Sequence, residues 1–229
     1  KLFVKEKEFI CDLLISCADY NHTESLLEEK YRQYKPNYWK KRTFAPSSLL
    51  FYVGFDKKLK NVKHHNLIFD TDFELHASEI YDKPVWPTDP LFYANFTSKT
   101  NDKTAPQGCE NGFFLIPIAI NLNDNDEVRK KYFDFIIKKM ELYTGQKLKN
   151  SIVYKKSFCV NDFKREYNSY GGNAYGLANT LMQTAFLRPK IKSKLVRNLY
   201  FCGQLTVPGP GVPPAVVSGE LVAGLINKN

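Results

Sequence analysis

With 229 residues, of which 43% are hydrophobic and 14% aromatic, the chain has enough apolar matter for one large core or two smaller ones, which excludes a disordered or fibrous protein. A net charge of +9 and a pI near 9.2 direct attention to polyanionic partners, either a nucleic acid or the anionic face of a membrane. No apolar run reaches the roughly 18–20 residues a spanning helix needs, and no leader with a small-residue cleavage site follows Lys1, so neither a spanning segment nor a secretory signal is expected in these residues.

In chain order, "KLFVKEKEF" alternates as a strand does, and "CDLLIS" is a short run expected as a buried strand. Thr23 is a possible cap for a helix over 23–34, with Glu24, Glu28 and Glu29 in its early turns. Leu49 to Val53 is expected as a buried strand; "NLIF", "LFYANFTS" and "GFFLIPIAI" are strand-like, the last rich in branched residues. From Asp126 to Tyr143 the apolar positions Val128, Tyr132, Phe133, Ile136, Ile137 and Met140 recur at helical spacing, and Gly145 stops the run. "NLYFC" is a further strand ending at Gly203, with a loop over 204–213 and helix-compatible residues from Pro214. The fold class is therefore mixed α/β or α+β, without repeats.

The five cysteines, Cys11, Cys17, Cys109, Cys159 and Cys202, are odd in number and form no C-x-x-C pair, so they read as reduced, mostly buried thiols of a cytoplasmic protein. His22, His64, His65 and His76 have no zinc-site spacing, and adjacent His64 and His65 on a strand would face opposite ways, so no metal is expected. Between Lys30 and Lys60, basic residues interleave with Tyr31, Tyr34, Tyr38, Trp39, Phe44, Phe51 and Tyr52. Three readings stand: a base-stacking nucleic-acid surface, an interfacial membrane contact, or a solvated basic loop entering a buried strand.

The most unusual stretch is "VPGPGVPPAVVSGELVAG", Val207 to Gly224. A strand, a glycine-rich turn and a helix start together make a site for an anionic or electron-rich ligand: glycines let it touch the backbone and prolines stiffen the loop. Ala215, Gly219 and Ala223 fall four apart beside Ser218, either for close approach of a ligand or backbone, or for packing on a sheet. Gly209-x-Gly211-x-x-Pro214 nearly matches a dinucleotide fingerprint, but only residues 215–229 follow, too few for the returning strand and its acidic residue. The loop is thus expected as a second contact to a cofactor held elsewhere.

The ending, Gly171 to Ile226, resembles the carboxy-terminal signature of the bacterial phytoene desaturase family of FAD-dependent carotenoid desaturases, through Tyr175, Gly176, Gln183, Arg188 and Pro189, then N-L-Y-x-x-G and a P-G-x-G-x-P loop into a helix. "ISCADYNHTE", "APSSLLFYVGFDK", "HHNLIFD" and "TAPQGCENGFFLIPIA" resemble family blocks in the expected order. The resemblance implies a partial two-dinucleotide-binding-fold flavoprotein: residues 1–20 as strands of the FAD domain, 21–189 as a substrate-binding domain with mixed sheet and helices, and 190–229 as the closing strand, loop and helix. It places Gly203 and Gln204 near the FAD diphosphate and Gly211, Val212, Pro213 and Val216 toward the flavin.

It also implies a carotenoid substrate, phytoene, into which C=C bonds are introduced by hydride transfer to FAD with loss of a neighbouring proton, and a cytoplasmic protein in peripheral contact with the inner face of the membrane, without nucleic acid. A hydroxycarotenoid 3,4-desaturase, or a related carotenoid isomerase or oxidase, is the alternative within the same class, and a basic nucleic-acid-binding module is the more distant one. The family's main G-x-G-x-x-G motif is absent, so about half of the enzyme is expected to be missing, and this piece is not expected to hold FAD unaided. Glu79 and Asp102 lie within family-like blocks and read as ordinary surface carboxylates; no catalytic residue is assigned.

Overall fold

The structure, a computed structural model, describes residues 1–228. The chain divides into two units, Lys1–Ala45 with residues 165–228, and Pro46–Lys164.

The Pro46–Lys164 unit is built on an antiparallel sheet of five strands: β4 (Ser47–Phe55), β5 (His65–Ile68), β6 (Phe92–Asn95), β7 (Glu110–Ile118) and β8 (Ile152–Phe158), in the order β5-β6-β7-β4-β8. Along β7 every second residue, Glu110 to Ile118, is buried, the period-2 pattern of a sheet with one face in a core. That face is covered by α4 (Asp126–Thr144), whose Tyr132, Phe133, Ile136, Ile137 and Met140 meet Leu49, Phe51, Phe114 and Ile116. The helix begins where the Asn125 side chain accepts from Val128 N–H and ends at Gly145, in the left-handed region at φ 67°, as its spacing predicts.

Two elements of this unit were not expected. The nine residues of α3 (Phe73–Tyr81) are started by Asp72, whose carboxylate accepts from Glu74 and Leu75 N–H. β8 carries Lys155 and Lys156 at the sheet edge, where charge blocks further pairing but also hides the strand from a hydrophobic reading. His64 and His65 do not diverge: β5 starts at His65, so His64 lies outside the pleat and the two rings sit 4.2 Å apart.

In the other unit, the segment expected as one alternating strand is a hairpin, β1 (Leu2–Val4) with β2 (Lys7–Phe9), because Lys5 takes φ 54° and turns the chain. β3 (Leu14–Ser16) pairs in parallel with β9 (Leu199–Phe201), but it is not a buried strand: Ile15 is exposed. The cap of α1 (Tyr20–Ser25) is Asp19, not Thr23, since the Asp19 carboxylate accepts from His22 N–H while Thr23 lies one turn inside. The helix closes at Ser25, and a separate α2 (Pro36–Lys40) follows. Glu24 is buried and accepts from Gln33 and Tyr34 N–H; burial pushes its carboxyl up to about 7 against the pull of those donors.

The aromatics of the basic segment are mainly core. Trp39 is fully buried among Tyr20, Tyr34, Tyr38 and Tyr170, Tyr20 stacks on Phe201 at 3.7 Å, and Phe44 stacks on Tyr170 at 4.9 Å. Phe51 is in the β4 core, leaving Tyr31 and Tyr52 as the exposed rings. A surface that stacks bases or anchors in an interface needs its rings outside, and these rings are spent on packing. The cysteines likewise depart from expectation: only Cys159 is buried, while Cys17 is exposed and Cys11, Cys109 and Cys202 are half-buried, because these four sit at strand ends and in turns. No helix among the described residues is long and apolar enough to cross a membrane.

Candidate functional site

After α5 (Val160–Tyr167), the strand β9 ends at Phe201, and a loop carries the chain to α6 (Val212–Asn227), which starts two residues before the expected Pro214. Gly203, Gly209 and Gly211 take φ of 104°, 137° and 112°, a region that side chains rarely enter, so the turn needs glycine at each. Ser218 ties the loop to the helix: its hydroxyl accepts from Gly203 N–H at 3.0 Å and bonds the Thr206 hydroxyl at 2.8 Å, which itself donates to the Gly203 carbonyl. Ser218 and Val222 are the buried positions of α6. The small-residue stripe is not a sheet-packing face in this unit, since a Cβ at Gly219 would meet open space and Ala223 is exposed.

The six loop and helix positions singled out from the sequence lie along one continuous path. An added Cβ at Gly203 meets nothing within 4 Å. The backbone N–H groups of Gln204, Gly211 and Val212 have no protein acceptor among the described residues. Pro213 and Pro214 carry no N–H, so Gly211 and Val212 hold the donors that the helix start presents. Val212 and Val216, one turn apart, are 80% and 70% exposed and form an apolar wall beside these donors. The Gln204 side chain turns away, toward Asn173 Oδ1 at 3.5 Å. Open backbone, free donors and an apolar wall fit a ligand with an anionic part and a flat apolar part, as a dinucleotide has.

What holds this loop is the rest of the motif, whose letters the sequence displays without their roles. Arg188 is 1% exposed, and its guanidinium donates to the carbonyls of Thr206, Leu177 and Gln183 at 3.0–3.1 Å. Burial lowers its pKa. Gly209 packs on it so closely that a Cβ would lie 3.0 Å from the guanidinium. Gln183 clamps Thr43 from both sides, accepting from its N–H at 3.0 Å and donating to its carbonyl at 2.7 Å. Gly176, at φ 80°, lies under the Gln204 carbonyl, where a Cβ would come within 2.9 Å of the oxygen.

A second candidate lies within the Pro46–Lys164 unit, on the sheet face opposite α4. The registers Leu67↔Tyr93, Tyr93↔Leu115, Leu115↔Leu50 and Leu50↔Phe158 align an apolar row across all five strands. Four strand spacings make it about 19 Å long. The outer face of an antiparallel sheet is ordinarily polar. At one end α3 roofs the row and leaves a cavity of about 300 Å³, with Phe69, Phe73, Ala77, Ile80, Leu91 and Leu115 among its walls.

Three buried ionisable groups of this unit, His76, Glu79 and Glu110, are engaged by neighbours. His76 accepts from Leu91 N–H at Nδ1 and donates from Nε2 to the Pro117 carbonyl, which sets the neutral tautomer. Glu79 is not a surface carboxylate: it is buried and accepts from the Thr88 N–H and hydroxyl. Asp102 is exposed, in a 3-10 turn begun by Asn101. Glu110 is buried; burial would raise its pKa, but Lys99 at 2.7 Å and the Ser98 hydroxyl hold it below the ordinary carboxylate range. Among the described residues no group of three or more His, Cys, Asp or Glu side chains is placed to hold a metal ion.

No protein-family profile matches the chain. It is 45% identical over 213 residues to a carotenoid 3,4-desaturase of Haloarcula japonica, covering 93% of this chain and 43% of that protein. It is 30% identical over 223 residues to a 4,4'-diapophytoene desaturase (4,4'-diaponeurosporene-forming) of Staphylococcus haemolyticus, covering 93% and 44%. The chain thus spans less than half the length of these curated relatives. Among solved structures it resembles an oxidoreductase from Methanosarcina mazei, with a TM-score of 0.57 at 12% identity over 97% of this chain and 44% of that one, a likeness of fold. On the 45% identity across nearly all of its length, together with the motif around the loop, the chain belongs to the carotenoid desaturase family.

Proposed function

We propose that the protein carrying this chain is an FAD-dependent carotenoid desaturase, and that its reaction is 3,4-desaturation of a carotenoid end rather than desaturation of phytoene. The observation that carries the choice is the gap between 45% identity to the Haloarcula 3,4-desaturase and 29–30% to the diapophytoene and phytoene desaturases. On this reading residues 1–20 and 190–229 belong to the FAD domain and 21–189 to the substrate domain. FAD, when bound, would supply the acceptor for the hydride that leaves one saturated carbon, while the adjacent carbon releases a proton to solvent, as the new C=C bond forms.

The residues of this chain then have distinct tasks. The N–H groups of Gln204, Gly211 and Val212 hold the cofactor's electron-rich edges, and Val212, Pro213 and Val216 give its apolar part a dry wall. The Leu67–Phe158 row and the cavity under α3 take a rod-like hydrocarbon by burying its surface, at about 25 cal/mol per Å². A substrate so apolar is delivered from a bilayer, so the protein works at the membrane surface as a peripheral protein. Glu79 and Glu110 serve the fold and are not assigned as bases.

The test is to express the whole protein in one strain that accumulates phytoene and another that accumulates a hydroxylated carotenoid, and to resolve the extracted pigments by absorbance. Longer conjugation in the second strain only is the expected result. Extension of phytoene transfers the assignment to phytoene desaturation, the second reading, which the relatives at 29–30% identity favour. Unchanged pigment in both, with folded protein present, overturns the desaturase reading.

A further inference from the structure

Cys17 and Cys202 lie 185 residues apart in sequence, and their sulfur atoms lie 3.0 Å apart. The strands explain the meeting. Ser16 is in register with Phe201 in the parallel pair β3–β9, and Cys202 N–H donates to the Ser16 carbonyl at 3.0 Å, so Cys17 and Cys202 are the next step of the same ladder. Paired strands run about 4.8 Å apart, within the roughly 4.4–6.8 Å between Cα atoms that a disulfide spans. Both thiols project from the carboxyl ends of parallel strands, and Cys202 directly precedes Gly203, whose N–H is held by Ser218.

From this geometry we infer that Cys17 and Cys202 form a reversible disulfide, a redox-modification site that locks β3 to β9 at the root of the Gly203 loop. A peroxide is the oxidant. The Cys17 sulfur attacks one peroxide oxygen, the O–O bond breaks and water leaves, giving a sulfenic acid at Cys17. The Cys202 sulfur then attacks the Cys17 sulfur, the S–O bond breaks, and the oxygen departs as water with the Cys202 proton. Two thiols lose two electrons in all, and one peroxide becomes two waters. The order follows from the surroundings: Cys17 is exposed, whereas burial and the hydrogen bond its S–H shares with the Cys17 sulfur push the Cys202 thiol up to about 12 and keep it protonated until its neighbour is activated. The other three thiols are outside this ladder, and Cys159 is buried.

The experiment uses the purified whole protein, reduced, freed of reductant and treated with hydrogen peroxide. Remaining thiols are blocked with N-ethylmaleimide, and the unreduced digest is read by mass spectrometry. The expected product is a peptide pair joining Cys17 to Cys202 within one molecule, released by dithiothreitol, with the urea midpoint of the oxidised protein raised. C17S and C202S each abolish the cross-link and the midpoint shift, and C109S keeps both. Cys17 and Cys202 still singly blocked after peroxide, or Cys17 joined to a thiol of a second molecule, would overturn the site. A cross-link with an unmoved midpoint would overturn the claim that it locks the strand pair.

Discussion

Arg188→Ala is expected to loosen the loop from Thr206 to Gly211 and to lower stability by about 4 kcal/mol, the largest effect of any single side-chain loss considered. The substitution leaves the carbonyls of Leu177, Gln183 and Thr206 without the donors they have now, in a place water does not reach. Each unsatisfied buried carbonyl costs about 1–3 kcal/mol, and the vacated guanidinium volume adds a cavity under Gly209. Removing a charge that burial disfavours offsets part of this. Arg188→Lys separates charge from geometry: one ammonium on a flexible stem does not reproduce a planar fork that bridges three carbonyls, so most of the loss is expected to remain. Urea unfolding of the whole protein measures the change, and limited proteolysis within 204–211 locates it. A lysine variant as stable as the parent would show that the charge, not the fork, is what the loop needs.

Gly176→Ala is expected to cost roughly 3 kcal/mol, although it adds only a methyl group. Two effects combine. At φ 80° an alanine pays roughly 1 kcal/mol for the left-handed region. Its Cβ would also lie 2.9 Å from the Gln204 carbonyl oxygen, a backbone atom that moves only if the loop moves. Gly176 has little freedom to retreat, since its N–H is held by Asn173 Oδ1 at 2.8 Å and its carbonyl by Ala45 N–H at 2.8 Å. Gly145→Ala is the control: φ is 67° there and a Cβ meets nothing within 4 Å, so only the conformational part, roughly 1 kcal/mol, is expected. Equal losses in the two variants would mean that the contact with Gln204 contributes nothing.

The parts of the fold that a sequence displays are those fixed by local composition and periodicity. β4 and β7 were legible as short apolar runs rich in strand-forming residues, α4 because its apolar residues repeat at 3.6, and Gly145 marks the helix end by the one conformation it favours. β8 was hidden because an edge strand with Lys155 and Lys156 resembles a solvated loop. The aromatic segment misled for a related reason: rings that stack on a base and rings that pack around Trp39 have the same composition, and only the tertiary contacts separate them.

Of the candidate site, the loop and its glycines were legible, because so many glycines and prolines between a strand and a helix are costly without a use. The roles of its supports were not. Arg188 serves carbonyls that lie 5, 11 and 18 positions away, and Ser218 reaches back 15 positions to Gly203. The apolar row is less visible still, since it exists only through four strand registers, each set by pairings across the sheet. Cys17 and Cys202 give no local sign of each other, and a parallel ladder brings them together.

The most direct test of the desaturase assignment is an absorbance measurement on the whole, flavin-loaded protein, mixed without oxygen with a carotenoid solubilised in lipid vesicles. The oxidised-flavin band is expected to fade in proportion to the appearance of a polyene absorbing at longer wavelength, one new double bond for each flavin bleached. A flavin band that stays unchanged, with 3,4-saturated carotenoid and phytoene alike present and the protein folded, would contradict it.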